Sequence, residues 1–144
     1  MNETSDKPTI AFCINELDVG GAEKALVRIA GGLARRDGDV HVVSLRDAGP
    51  LTRPLAEQGV PVTALGGGGF GDVRVWWRLR KQFQRIRPQA VVSFLHQANI
   101  ASRLALCGTG IPLVSGIRVA DRRRWVLASD RLTSCCTGKY VAVS

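Results

Sequence analysis

Hydrophobic residues along the chain form short continuous runs in some segments and recur at helical spacing in others. The two kinds of segment alternate, and this predicts strands that alternate with helices. The first example is TIAFCIN, a short run rich in β-branched and aromatic residues that follows Pro8 and predicts a buried strand. A glycine pair, Gly20 and Gly21, comes next, and apolar residues then recur at helical spacing over 22–33, before the polar turn at 35–38. The sequence therefore begins with a strand, a tight turn and a helix.

The same unit recurs along the rest of the chain. Further strands are predicted in VHVVSL, PVTAL, AVVSFL, PLVSGI and YVAVS, and helices in Leu51–Gln58, Val73–Ile86, Asn99–Leu106 and an arginine-rich segment around Trp125. Several of the strands are apolar without alternation, which is typical of strands covered on both faces. We therefore predict an α/β fold in which a Rossmann-like, doubly wound, mostly parallel sheet carries helices on both faces.

Ligands of such sheets bind beyond the carboxyl ends of the strands, so the loops that follow strands are the places to look for a site. These loops are Asn15–Gly21, Arg46–Gly49, Gly66–Asp72, His96–Asn99 and Arg118–Asp121.

Length and composition indicate one domain. The chain has 144 residues, of which 45% are hydrophobic, enough to bury a single core. We expect a flexible tail over residues 1–8 and one Rossmann-like domain over 9–144. No stretch approaches the roughly 20 apolar residues of a membrane span, and MNETSDKPT lacks a signal-peptide pattern, so we expect a cytoplasmic protein. Four cysteines without a C-x-x-C pair, and only two histidines, favour free or buried thiols with no structural metal, and we expect no cofactor.

The charge balance favours an anionic partner, because 20 Lys and Arg residues against 12 Asp and Glu residues give a net charge of +8. Nucleic acid, an acidic membrane surface and a phosphorylated small molecule all fit. We expect nucleic acid to be the least suitable, since the chain has no helix-turn-helix, RNP or zinc signature.

The predicted helix over 73–86 suggests the membrane surface as one of these partners. Its expected apolar stripe contains Trp76, Leu79, Phe83 and Ile86. A second face carries basic residues, with Trp77 at the boundary, a combination that suits the acidic cytoplasmic face of a membrane. These membrane-surface candidates are Arg74, Trp77, Arg78, Lys81 and Arg85. The alternative is that the charged stripe is only the solvated side of a helix packed on the core.

Two loops carry residues that could bind a ligand or take part in a reaction. Gly20 and Gly21 precede a helix whose first N–H groups favour negative charge, although a glycine pair alone is more often a tight strand-to-helix connection without a ligand. His96 directly follows a predicted strand, at the ligand end of the sheet, where an imidazole can take a proton from a hydroxyl group. The alternative for His96 is a hydrogen-bonded structural histidine.

A G-x-G-x-x-G pattern at Gly66, Gly68 and Gly71 resembles a dinucleotide fingerprint in spacing only. It follows the third predicted strand, whereas the fingerprint follows the first, and no acidic residue stands about 20 residues further on to bind a ribose. We therefore predict a mobile loop at this position.

Several segments, taken together, resemble the amino-terminal domain of glycosyltransferase family 4, retaining enzymes of the GT-B fold. The segments are VGGAEKALVRIAGGLA, EQGVPVTAL, IRPQAVVSFLHQANIASRLA, GIPLVSGIR and YVAVS, and the resemblance runs from about Thr9 to the end. It implies the acceptor-binding half of an enzyme that moves a sugar from a nucleoside-diphosphate sugar to a hydroxyl group of a glycan or lipid-linked acceptor.

The resemblance also implies roles for individual residues. Gly20 and Gly21 would lie near the sugar-phosphate part of the donor, His96 in the catalytic pocket, and Asn99 and Arg118 in the acceptor cleft. The family's carboxyl-terminal donor-binding domain is absent from this chain, so we expect the chain to be inactive alone. The competing hypothesis is a stand-alone Rossmann-like module that binds a phosphorylated ligand or nucleic acid.

Overall fold

A six-stranded sheet forms the centre of the computed structural model, which describes residues 7–69, 71–117 and 139–142. Its strands are β1 (Thr9–Ile14), β2 (Asp39–Ser44), β3 (Val62–Ala64), β4 (Ala90–Phe94), β5 (Leu113–Ile117) and β6 (Lys139–Ala142). The strand order is β3-β2-β1-β4-β5-β6, and every described pairing is parallel. This confirms the predicted doubly wound sheet. Arg118 and the arginine-rich segment around Trp125 lie outside the described residues.

Four described helices connect the strands: α1 (Gly21–Arg35), α2 (Thr52–Glu57), α3 (Val73–Ile86) and α4 (His96–Leu106). The predicted bounds of α1, α2 and α3 agree with these to within two residues. The predicted start of α4 at Asn99 is wrong, because the helix begins three residues earlier, at His96. Its N-cap residue, Leu95, has no capping side chain of its own, so the local sequence gives little sign of this start.

Alternate residues of β1 face two separate cores, which is why the strand reads as continuously apolar. Ala11 and Cys13 pack in a cluster with residues of α3 and α4, including Leu79. Phe12 packs on the other face with residues of α1 and α2, including Leu26. The sheet is thus covered on both faces, as predicted from its hydrophobic runs.

The buried face of α3 differs by part of a turn from the expected stripe. Leu79 and Phe83 are buried as expected, but Val75 is buried with them, while Trp76 and Ile86 only pack at the margin of the core. Asp72 caps the helix by accepting a hydrogen bond from the Arg74 N–H at 3.1 Å. Four of the five positions from 73 to 77 are apolar, all but Arg74, so periodicity alone does not fix the rotation of the helix.

Candidate functional site

The order in which successive strands join the sheet reverses between β1 and β4, and this switch point creates a crevice. Helix α1 leads from β1 to β2, while α4 leads from β4 to β5 on the other side of the sheet. The carboxyl ends of the two strands are paired, with Ile14 opposite Phe94. Ligands of doubly wound sheets bind in the crevice at such a switch point. The loops that begin at Asn15 and Leu95 therefore border the candidate site.

The turn from β4 into α4 is strained. Leu95 has φ 72° and ψ 154°, a backbone conformation that is populated almost only by glycine and costs a bulky residue about 1–3 kcal/mol. The next residue, His96, is half-buried and is the first of α4. Strain of this kind accumulates at binding and catalytic sites, where surrounding contacts hold it in place. The sequence-predicted catalytic residue thus directly follows a strained residue at the switch point.

Asn15, which the sequence analysis did not single out, connects three elements at this crevice. Its Oδ1 accepts a hydrogen bond from the Ala98 N–H at 2.8 Å and so caps the first turn of α4 from β1. Its carbonyl oxygen accepts from the Arg46 N–H at 3.0 Å and from the Ser44 hydroxyl at 3.4 Å. Asn15 therefore ties the His96 helix to the ends of β1 and β2. Its position directly after the first strand was the available signal.

Asn99 is buried, with 4% of its surface exposed, and it joins α4 to two strands. Its Oδ1 accepts from the Ser93 hydroxyl of β4 at 2.6 Å, and its Nδ2 donates to the Gly116 carbonyl of β5 at 3.3 Å. The hydroxyls of Ser93 and Ser115 are 3.4 Å apart. The amide of Asn99 is thus engaged within the protein, and its contact with an acceptor stays a prediction.

Gly20 and Gly21 lie at the start of α1, where the resemblance places the donor phosphates. Gly20 is the N-cap residue, and its N–H donates to the Asp18 carbonyl at 3.0 Å. The carboxylate of Glu23, a residue only 9% exposed, folds back over Gly20 so closely that a Cβ at this position would collide with Oε2. A carboxylate is favourable at the positive end of a helix. Any donor phosphate at Gly20 and Gly21 would share this end with Glu23.

The glycine segment after β3 is attached to the end of β2. The Gly66 and Gly67 N–H groups donate to the carbonyls of Arg46 and Leu45 at 3.2 and 2.8 Å. A Cβ on Gly67 would lie 2.6 Å from the Leu45 oxygen and 2.5 Å from a methyl group of Val75, so only glycine fits there. The described part of this segment is therefore held against β2 and α3, and the mobility expected for the loop stays a prediction.

Four of the five basic residues of α3 lie on its exposed surface. Arg74, Arg78, Lys81 and Arg85 are all exposed, as is Trp77 at 59%. The Lys81 ammonium is 3.7 Å from the centre of the Trp77 ring, and the Arg78 guanidinium donates to the Leu65 carbonyl at 2.9 Å. The five membrane-surface candidates thus share one accessible helix face.

The remaining ionisable groups do not form a second centre within the described residues. Burial raises the pKa of the Cys13 thiol to about 12, with a smaller opposing effect from a hydrogen bond with Ser102. No group of three His, Cys, Asp or Glu side chains in residues 7–69, 71–117 and 139–142 is arranged to hold a metal ion. Over the same ranges, no helix is both long and apolar enough to cross a membrane.

Solved structures with the same fold include glycosyltransferases. A glycosyltransferase from Rickettsia africae is 16% identical, with a TM-score of 0.77, over 96% of this chain and 37% of that one. MurG of Acinetobacter baumannii is 15% identical, with a TM-score of 0.71, over 94% of this chain and 41% of that one. HepE of Anabaena, in complex with UDP, is 18% identical, with a TM-score of 0.67, over 89% of this chain and 34% of that one.

These similarities show the fold, and this chain spans less than half the length of each of the three proteins. No curated protein matches the sequence closely. A family model does match, however, and it covers residues 20–137, from the start of α1 past the end of β5. Since this is most of the sequence, the chain belongs to the glycosyl transferase 4-like domain family.

Proposed function

We propose that this chain is the acceptor-binding half of a retaining glycosyltransferase that moves a sugar from a nucleoside-diphosphate sugar to a hydroxyl group of a glycan or lipid-linked acceptor. The observation that carries the proposal is the strained Leu95–His96 turn at the β1/β4 switch point. Family membership supports sugar transfer, and the UDP in the similar HepE structure supports a nucleoside-diphosphate donor. The proposal assigns no metal ion or other cofactor to this chain.

In the proposed reaction, the bond between the anomeric carbon and the diphosphate oxygen breaks, and its electron pair leaves with the nucleoside diphosphate. The acceptor oxygen bonds to the anomeric carbon from the same face, and its proton passes to the departing phosphate oxygen. Charge separates at both ends of the breaking bond, so fixed dipoles and donors there lower the barrier. We assign His96 to the sugar side, where it holds the transferred sugar in the reactive orientation.

The donor side of the proposed site needs groups that neutralise the leaving diphosphate. Gly21 offers its backbone N–H group to the diphosphate, whereas the Gly20 N–H donates to the Asp18 carbonyl and the Glu23 carboxylate opposes a second anion at this helix end. We therefore propose that a carboxyl-terminal donor-binding domain supplies the cationic groups that neutralise the leaving diphosphate. The 144 residues alone should then give no transfer from UDP-sugars to glycan or lipid acceptors. Turnover by this chain alone would contradict this part of the proposal.

The role of His96 is tested by substitution in the complete enzyme. Replacing His96 with Ala should lower kcat about 100-fold, because a small loss of orientation at the reacting atoms has an effect of this size. His41, the only other histidine, is the matched control, since it lies within β2, where its Nε2 is 3.3 Å from an Asp39 carboxylate oxygen. His41→Ala should leave kcat within about twofold. Equal turnover by the two variants would remove His96 from the proposed site.

We also propose that the exposed face of α3 binds the acidic cytoplasmic surface of a membrane, where a lipid-linked acceptor would be available. The face combines four basic side chains with Trp77 and with Val73, which is 65% exposed. Each basic residue near an anionic surface contributes about 1 kcal/mol, and an exposed aromatic side chain adds affinity for the interface.

Vesicle co-sedimentation tests the membrane proposal. Vesicles with about 30% anionic lipid should retain the chain at low salt and release it as salt screens the charges. A quadruple Gln variant of the α3 face, at Arg74, Arg78, Lys81 and Arg85, should lose most of this binding. A control with the same loss of charge replaces the exposed residues Arg28, Arg35, Arg36 and Arg53 of the α1 and α2 surface. Equal binding by the two variants would show that only net charge matters.

A further inference from the structure

A groove between α3 and the edge strand β3 is the strongest unassigned feature among the described residues. It is open to solvent and has a volume of about 330 Å³, which is near the lower end of the roughly 300–1,000 Å³ of small-ligand sites. This size suits a small polar group, such as a phosphate with a short substituent. The residues that line the groove are Ala64, Leu65, Arg78, Lys81, Gln82 and Arg85.

Three of the lining residues are cations that come from one side of α3. Arg78, Lys81 and Arg85 occupy positions i, i+3 and i+7 of the helix, so they follow one another over about 10 Å along its axis. All three side chains are exposed. Since none of the other lining residues is acidic, the lining of the groove carries positive charge only.

The three cations of the groove are not neutralised by neighbouring carboxylates. Exposed arginines elsewhere do form ion pairs, such as Arg46 with Glu16 at 3.2 Å. Within residues 7–69, 71–117 and 139–142, however, no Asp or Glu oxygen lies within 4.0 Å of a charged nitrogen of Arg78, Lys81 or Arg85. Like charges three or four residues apart on a helix repel each other. An anion in the groove would therefore relieve this repulsion and also attract each cation directly.

Two of the cations are held in place before any anion binds. The Arg78 guanidinium donates through Nη1 to the Leu65 carbonyl at 2.9 Å, and this bond uses one of its five N–H groups. The Lys81 ammonium lies 3.7 Å from the centre of the Trp77 ring. Side chains that are already positioned lose less conformational entropy when a ligand binds. The groove thus presents fixed positive groups to a ligand.

A phosphomonoester matches this arrangement in both charge and geometry. Its charge at neutral pH is close to −2, and its three oxygens accept strong hydrogen bonds, in pairs where they meet a planar guanidinium. We propose that the groove between α3 and β3 binds a phosphomonoester group, carried by a soluble small molecule or by the headgroup of phosphatidic acid. The proposal goes beyond the proposed function, because it requires neither sugar transfer nor attachment to a membrane.

An NMR titration of this chain with glycerol 3-phosphate tests the proposal. The ligand should shift the side-chain amide signals of Gln82 saturably, since this amide lines the groove and donates to the Thr63 hydroxyl at 3.1 Å. Gln58 is the matched control, because its amide donates to the Pro54 carbonyl at 2.9 Å, outside the groove lining, and its signals should stay in place. Succinate, also a dianion at about pH 7.5, should bind about tenfold more weakly because its charge is divided between two separate carboxylates.

Substitution of single arginines separates the groove from the general charge of the helix. Arg85→Gln removes a cation that lines the groove, whereas Arg74→Gln removes one from the same helix outside the groove lining. Both arginines are exposed, so both variants should fold, and they have the same net charge. Arg85→Gln should weaken the binding of glycerol 3-phosphate about tenfold, and Arg74→Gln less than about twofold. The absence of a saturable shift at Gln82, equal effects of the two substitutions, or equal affinity for succinate would each overturn the proposal.

Vesicles distinguish a lipid headgroup from a soluble ligand. Phosphatidic acid presents a phosphomonoester and phosphatidylglycerol a phosphodiester, and the two are compared at equal surface charge. If the groove takes the headgroup, Arg85→Gln should weaken binding to phosphatidic acid vesicles about tenfold, and binding to phosphatidylglycerol vesicles no more than Arg74→Gln does. If it takes only a soluble ligand, the two kinds of vesicle should bind alike while glycerol 3-phosphate still binds in the groove. Both results support the groove, whereas a lack of binding to either vesicle would contradict the proposed membrane contact alone.

Discussion

Replacing Asn99 with Ala tests whether this residue positions the His96 helix. In the folded chain the Asn99 amide accepts from Ser93 of β4 and donates to the Gly116 carbonyl of β5, in an environment where the side chain is 4% exposed. The substitution removes both bonds and leaves a small cavity under the first turn of α4. Alanine itself favours a helix, so the backbone of α4 gains slightly from the change.

The expected loss of stability follows from the groups that remain. The Ser93 hydroxyl can turn toward the Ser115 oxygen, 3.4 Å away, so it keeps a partner. The Gly116 carbonyl loses a donor, and a buried polar group left without its partner costs about 1–3 kcal/mol. With the cavity included, we expect a loss of about 2 kcal/mol in the free energy of unfolding. For a chain of this size that corresponds to a fall of about 6 °C in Tm.

Urea and thermal unfolding of this chain measure the effect. Gln97→Ala is the control, since Gln97 is in the same turn but only half-buried, and its loss should change the unfolding free energy by less than about 0.5 kcal/mol. A double-mutant cycle with Ser93→Ala should give a coupling of about 1 kcal/mol. A cost below 0.5 kcal/mol for Asn99→Ala, or additive single effects in the cycle, would refute the positioning role.

Three further predictions concern individual groups. The pKa of Cys13 is raised from 9.0 to about 12 in the folded chain, so the unfolded state loses this proton first and the free energy of unfolding should fall as the pH rises between these values. Cys13→Ala should flatten this dependence of the unfolding free energy on pH, by up to about 1.4 kcal/mol per pH unit, in urea unfolding at pH 8–10. Gly20→Ala should displace the Glu23 carboxylate and cost about 1 kcal/mol, and a similar cost in a Glu23→Ala background would count against this explanation. Asn15→Ala should cost about 1 kcal/mol and speed hydrogen exchange at the Ala98 amide, and unchanged exchange there would contradict the capping role.

Much of the fold could be predicted from the sequence, because the patterns that indicate its strands and turns are local. Each strand appears as a short apolar run, and prolines stand at residue 8, 61 and 112, directly before β1, β3 and β5. These signals predict the parallel α/β sheet without any knowledge of contacts. The rotation of α3 was predicted less well, because Val75 and Trp76 are both apolar and the core selects between them by shape. Arg118, whose role was also predicted, lies outside the described residues.

The geometry of the candidate site could be predicted less well, because it depends on residues far apart in the chain. Asn15 caps a helix that begins 81 positions later, and no local pattern reports that contact. Leu95 is a residue type that gives no warning of a positive φ, since the strain is imposed by the strand before it and the helix after it. His96 was predicted as a site residue from its place after a strand, and that role stays a prediction, whereas the strained turn before it could be described only from the fold. The strained turn and the remote cap both lie at the first turn of α4, so this turn, more than the glycine pair at α1, is where substitutions should separate binding from folding.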